Sequence, residues 1–74
     1  MNVKQCRMAR AALRWSLDDL AQASGIARRT VAKFEAGGSV LPESLEAMRG
    51  ALGKAGVGFT NGGGRVGVTV KRDD

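Results

Sequence analysis

A chain of 74 residues forms at most one small domain, whose core leaves little room for a large catalytic cleft. Cys6 is the single cysteine, which excludes a disulfide within the chain and is typical of a reducing cytoplasm. No apolar run is long enough to span a bilayer, and the first ten residues lack the apolar stretch of a secretory signal. We therefore expect a cytoplasmic protein without a membrane segment.

The chain also lacks the residues of common catalytic and metal sites. It contains no histidine, and it shows neither a metal-ligand cluster nor a nucleophile paired with a base. Asp18 and Asp19 are neighbours, but the electrostatics of a helix start explain them. We therefore expect no enzymatic activity, no catalytic residue, no metal and no cofactor.

The formal net charge of +5 is unevenly distributed along the chain. Residues 1–36 contain seven basic and three acidic side chains, so they carry most of the excess. The seven are Lys4, Arg7, Arg10, Arg14, Arg28, Arg29 and Lys33. A positive field favours encounter with polyanions such as nucleic acid. Small basic proteins are also common for reasons of solubility, so charge alone does not single out that partner.

Two helices are predicted in the first third of the chain. Residues 3–13 place apolar and small side chains at helical spacing, which predicts the first helix. Ser16 then offers an N-cap oxygen, and Asp19 three residues later completes an approximate capping box for a second helix. Gly25 supplies the left-handed residue that ends this helix.

Two further helices follow. A third helix is predicted from Arg28 to about Ala36, with Val31 and Phe34 on its core face. Pro42 suits the first residue of a fourth helix, which Gly56 ends. Its apolar stripe consists of Leu45, Met48 and Leu52.

Residues 57–74 differ in character and are predicted to form a β-hairpin or strand extension to a helical domain over residues 1–56. Valines alternate with polar residues and glycine after "NGGG" (residues 61–64), where Asn-Gly is a turn signal. A hairpin is marginally stable alone, so its apolar face requires the helical domain or a second chain. We expect a homodimer contact formed by Phe59, Val66, Val68 and Val70. The alternative is a flexible glycine-rich tail.

The second helix, the turn at Gly25 and the basic third helix have the layout of a helix-turn-helix. Ala21 is small and allows the two helices to approach closely. Burial of the apolar side chains on the third helix directs its polar side chains outward, at the start and along one side, where a major-groove reader presents its residues. These side chains are Arg28, Arg29, Thr30 and Lys33. Arginine pairs with guanine or holds phosphate, and lysine serves either use.

The stretch "LDDLAQASGIARRTVAKFEAGG" (residues 17–38) resembles the helix-turn-helix of the XRE family, the relatives of the lambdoid phage repressors and Cro, over approximately residues 5–53. The resemblance implies a mainly α, compact four-to-five-helix lambda-repressor-like domain that binds double-stranded DNA. It also implies a homodimer on a two-fold-related operator, with bases read from the start of the third helix by Arg28, Arg29 and Lys33.

The resemblance further implies an ion pair between Arg10 of the first helix and Glu35 near the end of the third helix. Arg10 is expected on the inward side of its helix, where an unpaired charge is costly, so we interpret the pair as structural. Ala27 and Ser16, which precede the third and second helices, complete the predicted DNA-binding set.

Three features depart from the family pattern. Ala27 stands where a Ser or Thr cap is usual, and Leu17 stands where a glutamine commonly touches the DNA backbone. We expect Leu17 to be exposed. The C-terminal extension is the third departure. These features motivate an alternative function, a helix-turn-helix relative that binds a regulatory protein partner, as an antiactivator or antitoxin does.

Overall fold

The computed structural model describes residues 1–72, which form four helices followed by two strands. The elements are α1 (Val3–Leu13), α2 (Leu17–Ser24), α3 (Arg28–Glu35), α4 (Pro42–Lys54), β1 (Val57–Gly62) and β2 (Arg65–Val70). This architecture confirms the predicted mainly helical domain with a C-terminal hairpin. The alternative of a flexible tail is wrong for residues 57–70, and residues 73–74 lie outside the described part.

Helix α1 is capped at both ends. The Asn2 side chain accepts a hydrogen bond from the Gln5 backbone, and the Gln5 side chain accepts one from the Asn2 backbone, which completes a capping box. Arg14 adopts a left-handed conformation with φ 57° and ends the helix. Its backbone N–H donates to the Ala11 carbonyl at 3.1 Å, so a carbonyl of the last turn is satisfied.

All four helices and β1 contribute to one apolar core. Its buried members are Cys6, Ala9, Leu20, Val31, Phe34, Met48, Leu52 and Val57. Met48 and Leu52 come from the predicted stripe of α4, whereas Leu45 of the same stripe is half-buried. Because every helix buries at least one of these side chains, the core fixes α3 relative to the other helices.

The hairpin turn lies two residues later than its sequence signal. Strands β1 and β2 are antiparallel, and Gly62 pairs with Arg65, so Gly63 and Gly64 form the turn. Their φ values of 59° and 73° are the left-handed values that a two-residue hairpin turn requires and that glycine adopts without strain. The Asn-Gly signal was therefore misleading, because Asn61 and Gly62 belong to β1.

A buried glutamine ties the hairpin to α1. Gln5 is only 1 % exposed, and its Nε2 donates to the carbonyls of Thr60 at 3.0 Å and Gly67 at 3.3 Å. These residues face each other on the two strands. Phe59 and Val68 are also half-buried and pack against the helical core. The hairpin is therefore an integral part of the domain.

Candidate nucleic-acid interface

The angle between α2 and α3 depends on short-range hydrogen bonds in the turn. Gly25 ends α2 with φ 73°, and its N–H donates to the Ala21 carbonyl at 2.9 Å. The Ser24 hydroxyl donates to the Leu20 carbonyl at 2.7 Å and accepts from the Ile26 N–H at 3.3 Å. The sequence reasoning missed Ser24, whose hydroxyl joins the last turn of α2 to the residue that begins the connection.

The start of α2 carries the predicted capping box. Ser16 Oγ accepts from the Asp19 N–H at 3.0 Å, and Asp19 Oδ2 accepts from the Ser16 N–H at 2.8 Å. Ser16 is exposed, and its hydroxyl oxygen accepts within this cap, which leaves the O–H free to donate to a ligand. Leu17 departs from the expectation of an exposed side chain, because it is half-buried and packs against the core. It therefore offers little surface to a protein partner.

Helix α3 separates its core side from its charged side. Val31 is fully buried and Phe34 is 8 % exposed, whereas Arg28, Arg29 and Lys33 are exposed. Thr30 is half-buried between the two sides. The structure therefore places the three cations of the helix together on its solvent side, with Thr30 at the margin.

The beginning of α3 is uncapped by a side chain. Ala27 occupies the N-cap position and is exposed, and no side chain accepts a hydrogen bond from the first turn there. The first-turn N–H groups of a helix attract anions when they have no protein partner. The Thr30 N–H donates to the Ala27 carbonyl at 2.9 Å, so the N–H groups of Arg28 and Arg29 are the ones that the missing cap leaves without a side-chain acceptor.

Glu35 anchors the other end of α3 through a buried ion pair. Arg10 Nε lies 2.6 Å from Glu35 Oε2, and Arg10 Nη2 lies 2.6 Å from Oε1, so the pair is bidentate. Arg10 Nη1 also donates to the Trp15 carbonyl at 2.9 Å, which links the pair to the α1–α2 connection. Arg7 adds a hydrogen bond of 2.8 Å to the Glu35 carbonyl.

The contacts around Glu35 shift the pKa of this carboxyl group and that of the Cys6 thiol. Burial acts to raise the pKa of Glu35, but hydrogen bonds from Arg10 and Cys6, together with the positive charges of Arg10 and Arg7, hold that pKa below its ordinary value. Burial, together with the hydrogen bond from Cys6 Sγ to Glu35 Oε2 at 3.3 Å, raises the pKa of the Cys6 thiol to about 12. Cys6 is therefore a protonated, buried donor rather than a reactive thiolate.

An ion pair connects the charged side of α3 to α2. Arg28 Nε lies 3.0 Å from Asp18 Oδ1, and both side chains are more than half exposed. Sequence reasoning had explained Asp18 by the helix start alone and therefore missed this pair. The signal was available, because Asp18 in the first turn of α2 and Arg28 in the first turn of α3 belong to the two elements that the turn brings together.

A shallow cleft of about 390 Å³ extends the charged side of α3 toward α4. It is lined by Thr30, Lys33, Ser39, Val40, Leu41 and Ser44. Leu41 is 62 % exposed, which is more than Met8, Val66 or Val70. Sequence reasoning did not single out the loop residues of this cleft, because no periodicity relates a loop to the helix it packs against.

The residues predicted for dimerisation divide into two groups. Phe59 and Val68 are half-buried against the domain's own core, whereas Val66 and Val70 are 36 % and 39 % exposed. The helical domain of the same chain therefore covers Phe59 and Val68, which leaves them little surface for a dimer contact. Val66 and Val70 are the members of the set with substantial exposed apolar surface.

Among residues 1–72, no cluster of side chains has the composition of a metal site. No helix in that part of the chain has the length and apolar character needed to cross a membrane. The chemistry that the arrangement supports is the binding of polyanions by three exposed cations on one side of a short, well-anchored helix.

A comparison with curated proteins found no match. The family model described as helix-turn-helix matches residues 7–57, which is more than half of the chain and includes α2, the turn and α3. Families of this type are DNA-binding regulators and are generally non-enzymatic. The match, the turn at Gly25 and the exposed cations of α3 lead to one conclusion: the chain belongs to the XRE/Cro-type helix-turn-helix family and is a DNA-binding regulator.

Proposed function

We propose that this regulator binds a pseudo-palindromic operator as a homodimer and acts as a transcriptional repressor in the cytoplasm. Helix α3 lies in the major groove, with Arg28 and Arg29 at base edges and Lys33 at a base or a phosphate. Thr30, Ala27 and Ser16 lie at the margins of this contact. The observation that carries the proposal is the division of α3 into a buried apolar side and an exposed cationic side.

The duplex backbone supplies much of the affinity in this mechanism. Arg28, Arg29 and Lys33 are exposed on α3, and the end of the helix that carries the two arginines has no side-chain cap. Neutralised phosphates release counterions, so binding becomes weaker as the salt concentration rises. Base selectivity comes from arginine, whose parallel donors match the O6 and N7 atoms of guanine.

Homodimerisation follows from the proposed operator symmetry, because two α3 helices must lie about 34 Å apart to enter successive major grooves. Strand β2 offers Val66 and Val70, and within the described residues its second edge pairs with no strand. We assign the dimer contact to this edge, where a second β2 extends the sheet.

The dimer contact is tested by Val66→Lys combined with Val70→Lys, which places charge on the edge while leaving Phe59 and Val68 packed. Sedimentation analysis is expected to show a dimer for the wild type and a monomer for the variant. Unlike deletion of residues 57–74, the substitutions preserve the buried Val57 and the Gln5 hydrogen bonds. A folded variant that still sediments as a dimer would refute this assignment.

The DNA-binding function is tested by selection from a pool of random duplexes, followed by gel-shift titration. We expect one enriched motif with approximate two-fold symmetry. The affinity of the protein for a duplex with this motif should fall by orders of magnitude between about 50 and 200 mM salt. A folded protein that enriches no motif and binds every duplex equally would contradict sequence-specific recognition.

A groove beside α1 favours a second candidate function. This function is the binding of an acidic segment with apolar residues that belongs to a regulatory protein. The groove encloses about 970 Å³ between α1 and the hairpin turn. Its apolar lining is Val3, Met8 and Val66, and its cations are Lys4, Arg7 and Arg65. No acidic residue of the described chain lines it. Three cations without an acid among them complement the charge of an acidic partner.

The second candidate is tested with a fluorescent peptide of alternating glutamate and leucine residues. Binding measured by anisotropy should weaken with salt and be lost in Met8→Asp, because Met8 is 36 % exposed in the groove. The matched control is Leu41→Asp, which places the same charge on an exposed apolar site outside the groove. Equal binding by both variants, or absence of binding by the wild type, would exclude this function.

A further inference from the structure

The three cations on the exposed side of α3 differ in their partners. Arg28 forms an ion pair with Asp18, with 3.0 Å between Nε and Oδ1. Within residues 1–72, no ion pair is formed by Arg29 or Lys33. The side chains of Arg28 and Asp18 are 60 % and 68 % exposed, and ion pairs as exposed as this contribute little to folding stability. Folding stability therefore does not account for the pair, and we consider its effect on DNA binding instead.

The position of the carboxylate restricts the guanidinium of Arg28. Oδ1 of Asp18 lies 3.0 Å from Nε, and within the described residues Nη1 and Nη2 donate no hydrogen bond, so both stay available to a ligand. Two parallel donors of this kind match the O6 and N7 atoms of guanine. A guanidinium drawn toward a neighbouring carboxylate samples fewer orientations, so it loses less freedom when it binds than one on an unrestrained side chain.

The same carboxylate opposes binding to the phosphate backbone. Asp18 lies in the first turn of α2, beside the helix that we place in the groove, where its negative charge repels phosphates. Asp19 has a different function, because its carboxylate and N–H are both occupied by the cap with Ser16. The macrodipole of α2 favours both acids in its first turn, but the cap uses only Asp19, and the exposed carboxylate of Asp18 lies against Arg28.

We propose that Asp18 is a specificity-determining residue, which positions Arg28 for guanine and weakens binding to duplexes that lack guanine at that place. On a matching site, the bidentate contact of Arg28 with guanine offsets the repulsion from Asp18. On any other site the repulsion remains, because Arg28 has no base partner. Asp18 thereby lowers sequence-independent affinity and raises discrimination.

This proposal rests on the proposed DNA-binding function and is tested with the full chain. The motif selected by the wild type is synthesised, together with duplexes in which each guanine is replaced in turn. Dissociation constants are measured by gel shift for the wild type, Asp18→Asn, Arg28→Ala and the double variant. The matched control is Glu46→Gln, which removes one exposed acid paired with Arg49 on α4. Circular dichroism verifies that each variant is folded.

For Asp18→Asn, we expect tighter binding to the replaced duplexes and about tenfold less discrimination at one guanine position. Arg28→Ala should remove discrimination at that same position, and adding Asp18→Asn to it should change discrimination no further. Glu46→Gln should leave the discrimination of the wild type unchanged.

Two outcomes overturn the proposal in different ways. If the wild type selects a motif but Asp18→Asn keeps the same discrimination, or lowers it equally with and without Arg28, Asp18 does not act through Arg28. If the wild type selects no motif, the DNA-reading function itself fails and the assignment of Asp18 fails with it.

Discussion

Glu35 is the residue that links the orientation of α3 to the rest of the molecule. Its carboxylate is bound bidentately by Arg10 and also accepts from Cys6, while its side chain is only 7 % exposed. An acidic group buried so far is stable only when it is paired. Arg10 therefore holds α3 against α1 and indirectly sets how α3 presents its cations.

Removal of one partner of this pair should be costly. We expect Arg10→Met to lower the free energy of unfolding by about 3 kcal/mol, because the buried Glu35 carboxylate loses its bidentate partner and keeps only Arg7 Nε at 3.9 Å and the hydrogen bond from Cys6. Urea denaturation followed by circular dichroism measures this loss. The double variant Arg10→Met with Glu35→Leu, which removes both charges, should recover most of the stability. A double variant no more stable than Arg10→Met would contradict this account.

The lowered pKa of Glu35 also predicts a dependence of stability on pH. The stabilisation is fully present above the pKa of an unfolded glutamate, about 4.3, and is lost as the pH falls through the lower pKa of the folded state. Thermal melts between about pH 6 and pH 2 should show this acid loss for the wild type and a smaller loss for Glu35→Gln. Parallel curves for the two proteins would show that Glu35 does not cause the loss.

At the scale of elements, α3 is weakest where it begins. Ala27 provides no side-chain cap, so Ala27→Ser should raise the free energy of unfolding by about 0.5–1 kcal/mol. The matched control is Ala23→Ser, an exposed site inside α2 where serine lowers helix propensity. Urea denaturation distinguishes the two substitutions. Equal effects would mean that the gain or loss has no connection with capping.

Substitution by alanine should have opposite effects on stability at a glycine of the hairpin turn and at a glycine of α4. Gly64→Ala should destabilise the protein, because its φ of 73° is strained for any residue with a Cβ. Gly53→Ala should stabilise it by about 0.5–1 kcal/mol, because Gly53 lies inside α4 and a Cβ there meets no atom within 4 Å. Thermal melting compares the two variants, and a shift in the same direction for both would contradict the assigned turn.

Features formed by interactions between residues close in sequence were predicted, whereas features formed by distant residues were not. The Ser16 cap, the end of α2 at Gly25 and the start of α4 at Pro42 depend on local signals. The structure has all three where they were predicted. The position of the hairpin turn was predicted wrongly, because three consecutive glycines permit more than one register of the two strands. The function of Gln5 was missed, since its partners are more than 50 residues away along the chain.

For the candidate site, the exposed cations of α3 were predictable from the spacing of Val31 and Phe34, because burial of one side of a helix exposes the other. The Asp18–Arg28 pair and the cleft with Ser39 and Ser44 were not predicted. Both depend on contacts between elements, which a periodic pattern within one element does not contain.

For the whole molecule, two surfaces with separate chemistry share one core. Helix α3 presents cations and has no acid among its own exposed residues, whereas the hairpin side combines Val66 and Met8 with Lys4, Arg7 and Arg65. Gln5 and the half-buried Phe59 and Val68 attach the hairpin to the helical domain. The proposed duplex surface on α3 and the groove beside the hairpin therefore differ in chemistry although they share one core.

The central claim, that the exposed side of α3 reads duplex DNA, is tested most directly by comparing Arg29→Ala with Arg49→Ala in gel-shift titrations of the selected duplex. Both arginines are exposed, and the two variants have the same net charge, but Arg49 lies on α4 in a pair with Glu46. We predict that Arg29→Ala weakens specific binding by about 1–3 kcal/mol and that Arg49→Ala leaves it nearly unchanged. Equal affinity of the two variants for the selected duplex would contradict the account.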